Sequence, residues 1–174
     1  MSPDAQYPIG RFETPESISA GEVRNAITML ADTPSLLRNA VGGLKPPRLT
    51  VPYRPGGWTI QQVVHHLADS HMNAFVRFRL ALTEDWPTIK VYDEAAWAEL
   101  HDSLAPIEWS LELIESLHAR WIMLLFSLKD AQWKCGYVHP ERGRVALDVA
   151  VLHYAWHSQH HLAHITHLRA REGW

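Results

Sequence analysis

The stretch Leu147-Asp-Val-Ala-Val-Leu-His-Tyr-Ala-Trp-His-Ser-Gln-His-His-Leu-Ala-His-Ile-Thr-His-Leu-Arg-Ala-Arg171 contains no proline or glycine, and Gly173 follows it as a stop. This pattern predicts one long helix bearing six histidines: His153, His157, His160, His161, His164 and His167. Ala150, Tyr154, His157, His161, His164 and Leu168 recur at steps of four and three, which marks an inward seam with His160 and His167 off it. Imidazoles on an inward face need partners, because a buried polar group without one is costly. A metal ion is the simplest partner. Residues four apart stand one turn above the other and reach a common point. Three such pairs compete here: His153 with His157, His157 with His161, and His160 with His164. A hydrogen-bonded histidine network is the alternative without metal.

Working outward, a second histidine group, His65, His66 and His71, lies in another helical pattern. Thr59 and Gln62 form a capping box ahead of Ile60, Val63, Val64, Leu67, Phe75, Phe78 and Leu82, which predicts a helix from about Ile60 to Thr83. That helix offers His65 or His66 as a third nitrogen ligand. Asp69 is a candidate to orient it by hydrogen bonding. Three neutral imidazoles with an open position are characteristic of catalytic rather than structural zinc, and imidazole also suits nickel, copper and iron(II). His71, His101, His118, His139 and His167 read as surface or hydrogen-bonding residues.

Two further long helices complete the pattern. Ser19 and Glu22 cap a segment from Ala20 to about Val41, in which Pro34 should kink or split the helix. Leu111, Ile114, Leu117, Trp121, Leu124, Leu125 and Leu128 give another from about Ile107. Leu44 to Trp58 has a loop composition, Asp93 can cap a short helix reaching Leu100, and 136–145 suggests a turn between two short strands. The expected fold is all-α: a four-helix bundle with a long crossover connection, a short extra helix and a short hairpin, with residues 1–174 forming one domain.

Composition narrows the function. A formal charge of −3, with 47% hydrophobic and 20% charged residues, provides no electrostatic basis for binding nucleic acid or an anionic membrane. The longest nearly apolar run, Trp121 to Leu128, is far short of a membrane span, and no signal pattern opens the chain, so a cytoplasmic location is expected. Cys135 is the lone cysteine, which excludes an intrachain disulfide and a multi-cysteine metal site.

Three segments carry a family resemblance: Tyr-Pro-Ile-Gly at 7–10, Gly-Gly-Trp-Thr-Ile-Gln-Gln-Val-Val-His-His-Leu-Ala-Asp-Ser-His-Met-Asn at 56–73, and Tyr-Ala-Trp-His-Ser-Gln-His-His-Leu-Ala-His-Ile at 154–165. The chain resembles the DinB superfamily, in its YfiT-like branch labelled metal-dependent hydrolases. The resemblance implies a four-helix bundle with a crossover, metal ligation by His66, His157 and His161, and a homodimer. It implies one divalent ion per chain, zinc or nickel, acting on a small-molecule substrate. Some members of the superfamily resemble transferases that use bacillithiol, mycothiol or glutathione, so a thiol S-transferase is the alternative. A non-catalytic metal-binding or sensing bundle is the third reading. No general base is identified among the residues.

Overall fold

A computed structural model describes residues 5–174. Four long helices form the body: α1 (Ala20–Val41), α3 (Ile60–Thr83), α5 (Ile107–Ser127) and α6 (Leu147–Glu172). Between them lie the short helices α2 (Pro46–Leu49) and α4 (Glu94–Ala98), two 3-10 turns, and the antiparallel hairpin β1 (Gly136–His139) with β2 (Gly143–Ala146).

Side-chain caps set the starts of α1, α3 and α4. Ser19 accepts the backbone N–H of Glu22 while Glu22 reaches back to Ser19, and Thr59 and Gln62 make the same reciprocal pair at 3.2 and 3.0 Å. Thr59→Ala is expected to lower stability by about 1 kcal/mol, measured by urea unfolding, because it orphans a backbone donor at the start of α3. Asp93 caps α4 through the Ala96 N–H. The 44–58 segment, expected to be a loop throughout, contains the single turn α2, with Pro46 and Pro47 in its first turn, where proline costs nothing.

The expected split at Pro34 does not occur, and α1 runs through it as one helix. Proline removes the donor that would satisfy the Leu30 carbonyl one turn back. His118 of α5 supplies the replacement, donating from Nδ1 to that carbonyl at 2.7 Å.

Contacts order the bundle as α1–α5–α3–α6 and back to α1. His65 pairs with Ser110 and His71 with His118, so α3 and α5 run parallel. Arg38–Glu115 with Leu30–His118 make α1 and α5 antiparallel, and His66–His157 with Arg77–Tyr154 make α3 and α6 antiparallel. Residues 84–106 therefore form the long crossover between parallel neighbours. The connections from α1 to α3 and from α5 to α6 cross the bundle diagonal.

Trp121, Phe78 and Leu30 are almost fully buried at the centre of one core cluster, and Leu37, Ile60, Leu67 and Ile114 in a second. The hairpin is tied to the crossover, with Val138 N–H donating to the Pro87 carbonyl and Ile89 N–H to the Val138 carbonyl. A side chain at Gly136 would collide with the Val145 carbonyl and the Trp86 ring, so glycine is required there. No helix among the described residues is long and apolar enough to cross a membrane.

Candidate metal centre

The α3/α6 contact brings His66 against His157 and His161. Their ring centroids lie 5.2 Å (His66–His157), 4.7 Å (His66–His161) and 4.5 Å (His157–His161) apart. One nitrogen from each of the three lies within 4.8 Å of the others. The Nε2 atoms of His66 and His157 approach to 3.2 Å. Two bonds of about 2.05 Å at a tetrahedral angle span about 3.3 Å, so this separation fits two nitrogens around one cation.

Burial keeps these rings neutral. It lowers the His66 pKa to about 4, with the nearby charge of His160 adding to the effect. It also pushes His157 well down, with contributions from His161, His66, His71 and His153, and His161 well down, with contributions from His66, His160, His164 and His71. A neutral imidazole has one free lone pair, the form a metal requires. The Nδ1 atoms of His157 and His161 are buried without a hydrogen-bond partner among the described residues. If the Nε2 atoms bind metal, those Nδ1 atoms carry protons and need acceptors. The donor set and its geometry fit a divalent ion.

His65 is different. Its Nε2 donates to the Ala105 carbonyl at 3.1 Å, and its Nδ1 accepts from the Ser110 hydroxyl at 2.7 Å, which leaves no lone pair free. Both nitrogens of His65 are thus engaged, whereas His66 turns Nε2 toward His157. Asp69, a candidate to orient His66, faces a separate cavity with His65, Trp97 and Asp102. Burial, and secondarily the charge of Asp102, raises its pKa to about 6.

Residue spacing underestimated three histidines. His160, expected off the inward seam, is buried, because the N-terminal segment covers the outer face of α6: Tyr7 lies against His160, and Phe12 against His153 and Trp156. His160, His161 and His164 form a second triangle that shares His161. His71 and His118, expected as surface or hydrogen-bonding residues, are of the second kind. They are buried and hydrogen-bonded to each other at 2.7 Å. Capping and periodicity do not reveal such a pairing across helices, although Pro34 was a signal that a carbonyl needed a donor.

His66, His157 and His161 line a cavity of about 660 Å³, walled in part by Tyr53 and Trp58 from the α1–α3 connection. Trp58 packs 4.6 Å from His66, and Tyr53 stacks on His164 at 3.8 Å. An adjoining cavity of about 650 Å³ shares Phe12, Thr14, Glu94, Arg142, His153 and His157 with it. Arg77, Tyr92, Tyr137 and Tyr154 line the second chamber, where Arg77 donates to the Tyr154 hydroxyl at 3.0 Å.

An α-helical bundle presenting inward histidines from facing helices to an open cavity is the architecture of a bundle-core metal protein. The chain belongs to the DinB superfamily, whose profile matches residues 29–165. Two relatives are each 49% identical to it. One, from Bacillus cereus, bears the name "Putative metal-dependent hydrolase" and aligns over 98% of this chain and 99% of its own. The other, from Bacillus subtilis, is "Putative metal-dependent hydrolase YfiT", aligned over 99% of this chain and 98% of its own. The solved structure of YfiT from Bacillus subtilis, described as a probable metal-dependent hydrolase with an unusual four-helix bundle topology, superposes with a TM-score of 0.95. The match is 49% identical and covers 98% of each chain.

Proposed function

We propose that the chain is a metal-dependent hydrolase of small molecules in which His66, His157 and His161 hold one divalent ion, zinc or nickel. The observation that carries this reading is the convergence of three neutral imidazole nitrogens on the wall of a cavity of about 660 Å³. When bound, such an ion supplies Lewis acidity and lowers the pKa of water toward neutrality. The chain's own residues bind and orient the substrate. Tyr53 and Trp58 shield the histidines from bulk water. Arg77, Tyr92 and Arg142 supply hydrogen-bond donors in the adjoining chamber, and Glu94 supplies an acceptor, which suits a polar substrate. Burial raises the Glu94 pKa against the opposing pull of Arg142 and Arg77, so this carboxyl is the candidate to hold a proton between the chambers.

The second histidine triangle does not double the stoichiometry. His161 belongs to both sets and serves one ion at a time. The relatives' names support a hydrolase, and no observation in the cavity singles out a thiol co-substrate. The test is turnover of an ester and amide panel, and of an electrophile, by metal-loaded and chelator-treated protein, with and without bacillithiol or glutathione. Hydrolysis that falls to background on chelation and ignores thiols is expected. Consumption of the electrophile only with thiol, and no hydrolysis, would overturn the reading in favour of transfer.

The homodimer is proposed alongside. Trp109, Met123 and Phe126 of α5 are 65%, 78% and 62% exposed, an apolar face that a second copy would cover. Light scattering is expected to give twice the 19.9 kDa chain mass, roughly 40 kDa, and a monomer at all concentrations would contradict it.

A further inference from the structure

Pro34 has no N–H, so the Leu30 carbonyl lacks its helical donor and takes one from His118 Nδ1 at 2.7 Å. A carbonyl only accepts, so His118 carries its proton on Nδ1, and in the neutral ring Nε2 holds the lone pair. That lone pair lies 2.7 Å from His71 Nδ1, which must therefore be the donor. The remaining nitrogen, His71 Nε2, is left as an acceptor. It is fully buried and has no hydrogen-bond partner among the described residues.

His157 presents the opposite need. Its Nε2 faces His66 Nε2 at 3.2 Å, so as a ligand it would carry its proton on Nδ1, and this atom is also buried without a partner. The His71 and His157 ring centroids are 5.7 Å apart, against 5.0 Å for the hydrogen-bonded His71–His118 pair. A shift of under about 1 Å is enough to close the difference.

Building on the metal-site reading above, we propose that His71 positions the ligand His157 by accepting its Nδ1–H. The chain His157–His71–His118 then ends on the carbonyl that Pro34 leaves free. Each link fixes the tautomer of the next, and the backbone of α1 orients a ligand on α6 through side chains of α5 and α3. The proton positions are mutually determined: reversing any one ring puts two lone pairs or two protons face to face. Trp121 Nε1–H, also buried without a partner and part of an indole 5.9 Å from the His71 ring, is the competing donor to His71.

The test compares zinc affinity of the full-length wild type, His71→Phe and His71→Gln by chelator competition. Phenylalanine keeps the ring volume and removes both nitrogens. Glutamine restores one donor for His118 and one acceptor for His157. Zinc is expected to bind His71→Phe about 10–100-fold more weakly than wild type, and His71→Gln to recover most of the loss. Equal affinity of His71→Phe and wild type would overturn the inference and leave the ligand assignment standing. Failure of the wild type to bind zinc would overturn both. Imidazole 15N–1H correlation spectra of the wild type give an independent readout that needs no variant. With zinc bound, His71 is expected as the Nδ1–H tautomer with a protected His157 Nδ1 proton. A His71 proton on Nε2, or His157 bound to zinc through Nδ1, would contradict the proposal.

Discussion

Replacing His157 or His161 with alanine is expected to weaken divalent-metal binding by more than about 100-fold, and replacing His65 to leave it within a few-fold. Each of the first two substitutions deletes one of three converging lone pairs, a larger loss than the roughly 10–100-fold cost of removing an outer partner. His65 sits beside His66 in the chain, but both its nitrogens are committed, to Ser110 and Ala105. The measurement is competition against a chromogenic chelator, with circular dichroism to show that each variant keeps its helices. Equal losses for His65→Ala and His66→Ala would contradict the assignment of the α3 ligand.

Acid is expected to unfold the metal-free protein steeply, starting below about pH 6.5. His66, His118 and His164 have pKa values lowered to about 4 by burial, and His71, His157 and His161 are held well below the ordinary value for the same primary reason. In the unfolded chain all of them titrate near 6.5. Between that value and about 4 the unfolded state binds more protons than the native one, so stability is complete above pH 6.5 and declines as the pH falls through this window. Each such proton contributes about 1.4 kcal/mol per pH unit, so three of them amount to roughly 4 kcal/mol per unit. Against a total of about 5–15 kcal/mol, the roughly 2.5 pH units of this window remove up to about 10 kcal/mol, enough to unfold a protein of ordinary stability. Zinc at about 100 times its dissociation constant is expected to add about 2.7 kcal/mol near neutrality, and this gain should vanish in acid as protons claim the same nitrogens. Urea titrations from pH 8 to 5, with and without zinc, check both effects. Stability that is flat across this range would refute the buried-neutral assignment, and identical curves with and without zinc would refute ligation.

Local signals foretold what is local. The Ser19–Glu22 and Thr59–Gln62 boxes start α1 and α3 at the expected residues, and Gly173, in the left-handed conformation, ends α6. The His157–His161 spacing was visible on the helix that bears it, but the residues alone left three pairs in competition and could not separate His65 from His66. The engagement of both His65 nitrogens depends on Ser110 and Ala105, forty or more positions downstream. The burial of His160 was hidden for a similar reason. Periodicity describes one face of a helix, whereas Tyr7 and Phe12, from a segment without regular structure, cover another. Pro34 read as a kink or a split because helix propensity takes no account of a donor arriving from α5. Asp69 lies three residues from His66, yet it faces the cavity on the far side of α3. Whether neighbouring side chains share a site depends on which helices flank them, and sequence spacing does not record that.

X-ray absorption of the zinc- or nickel-reconstituted protein tests the central claim most directly, paired with elemental analysis of the same sample. One ion per chain is expected, with three imidazole nitrogens at about 2.0–2.1 Å and their ring-scattering signature, and one ring should be lost in His161→Ala if any metal remains. No bound ion after reconstitution, or an ion whose shell is unchanged when His66, His157 and His161 are all replaced, would contradict the account.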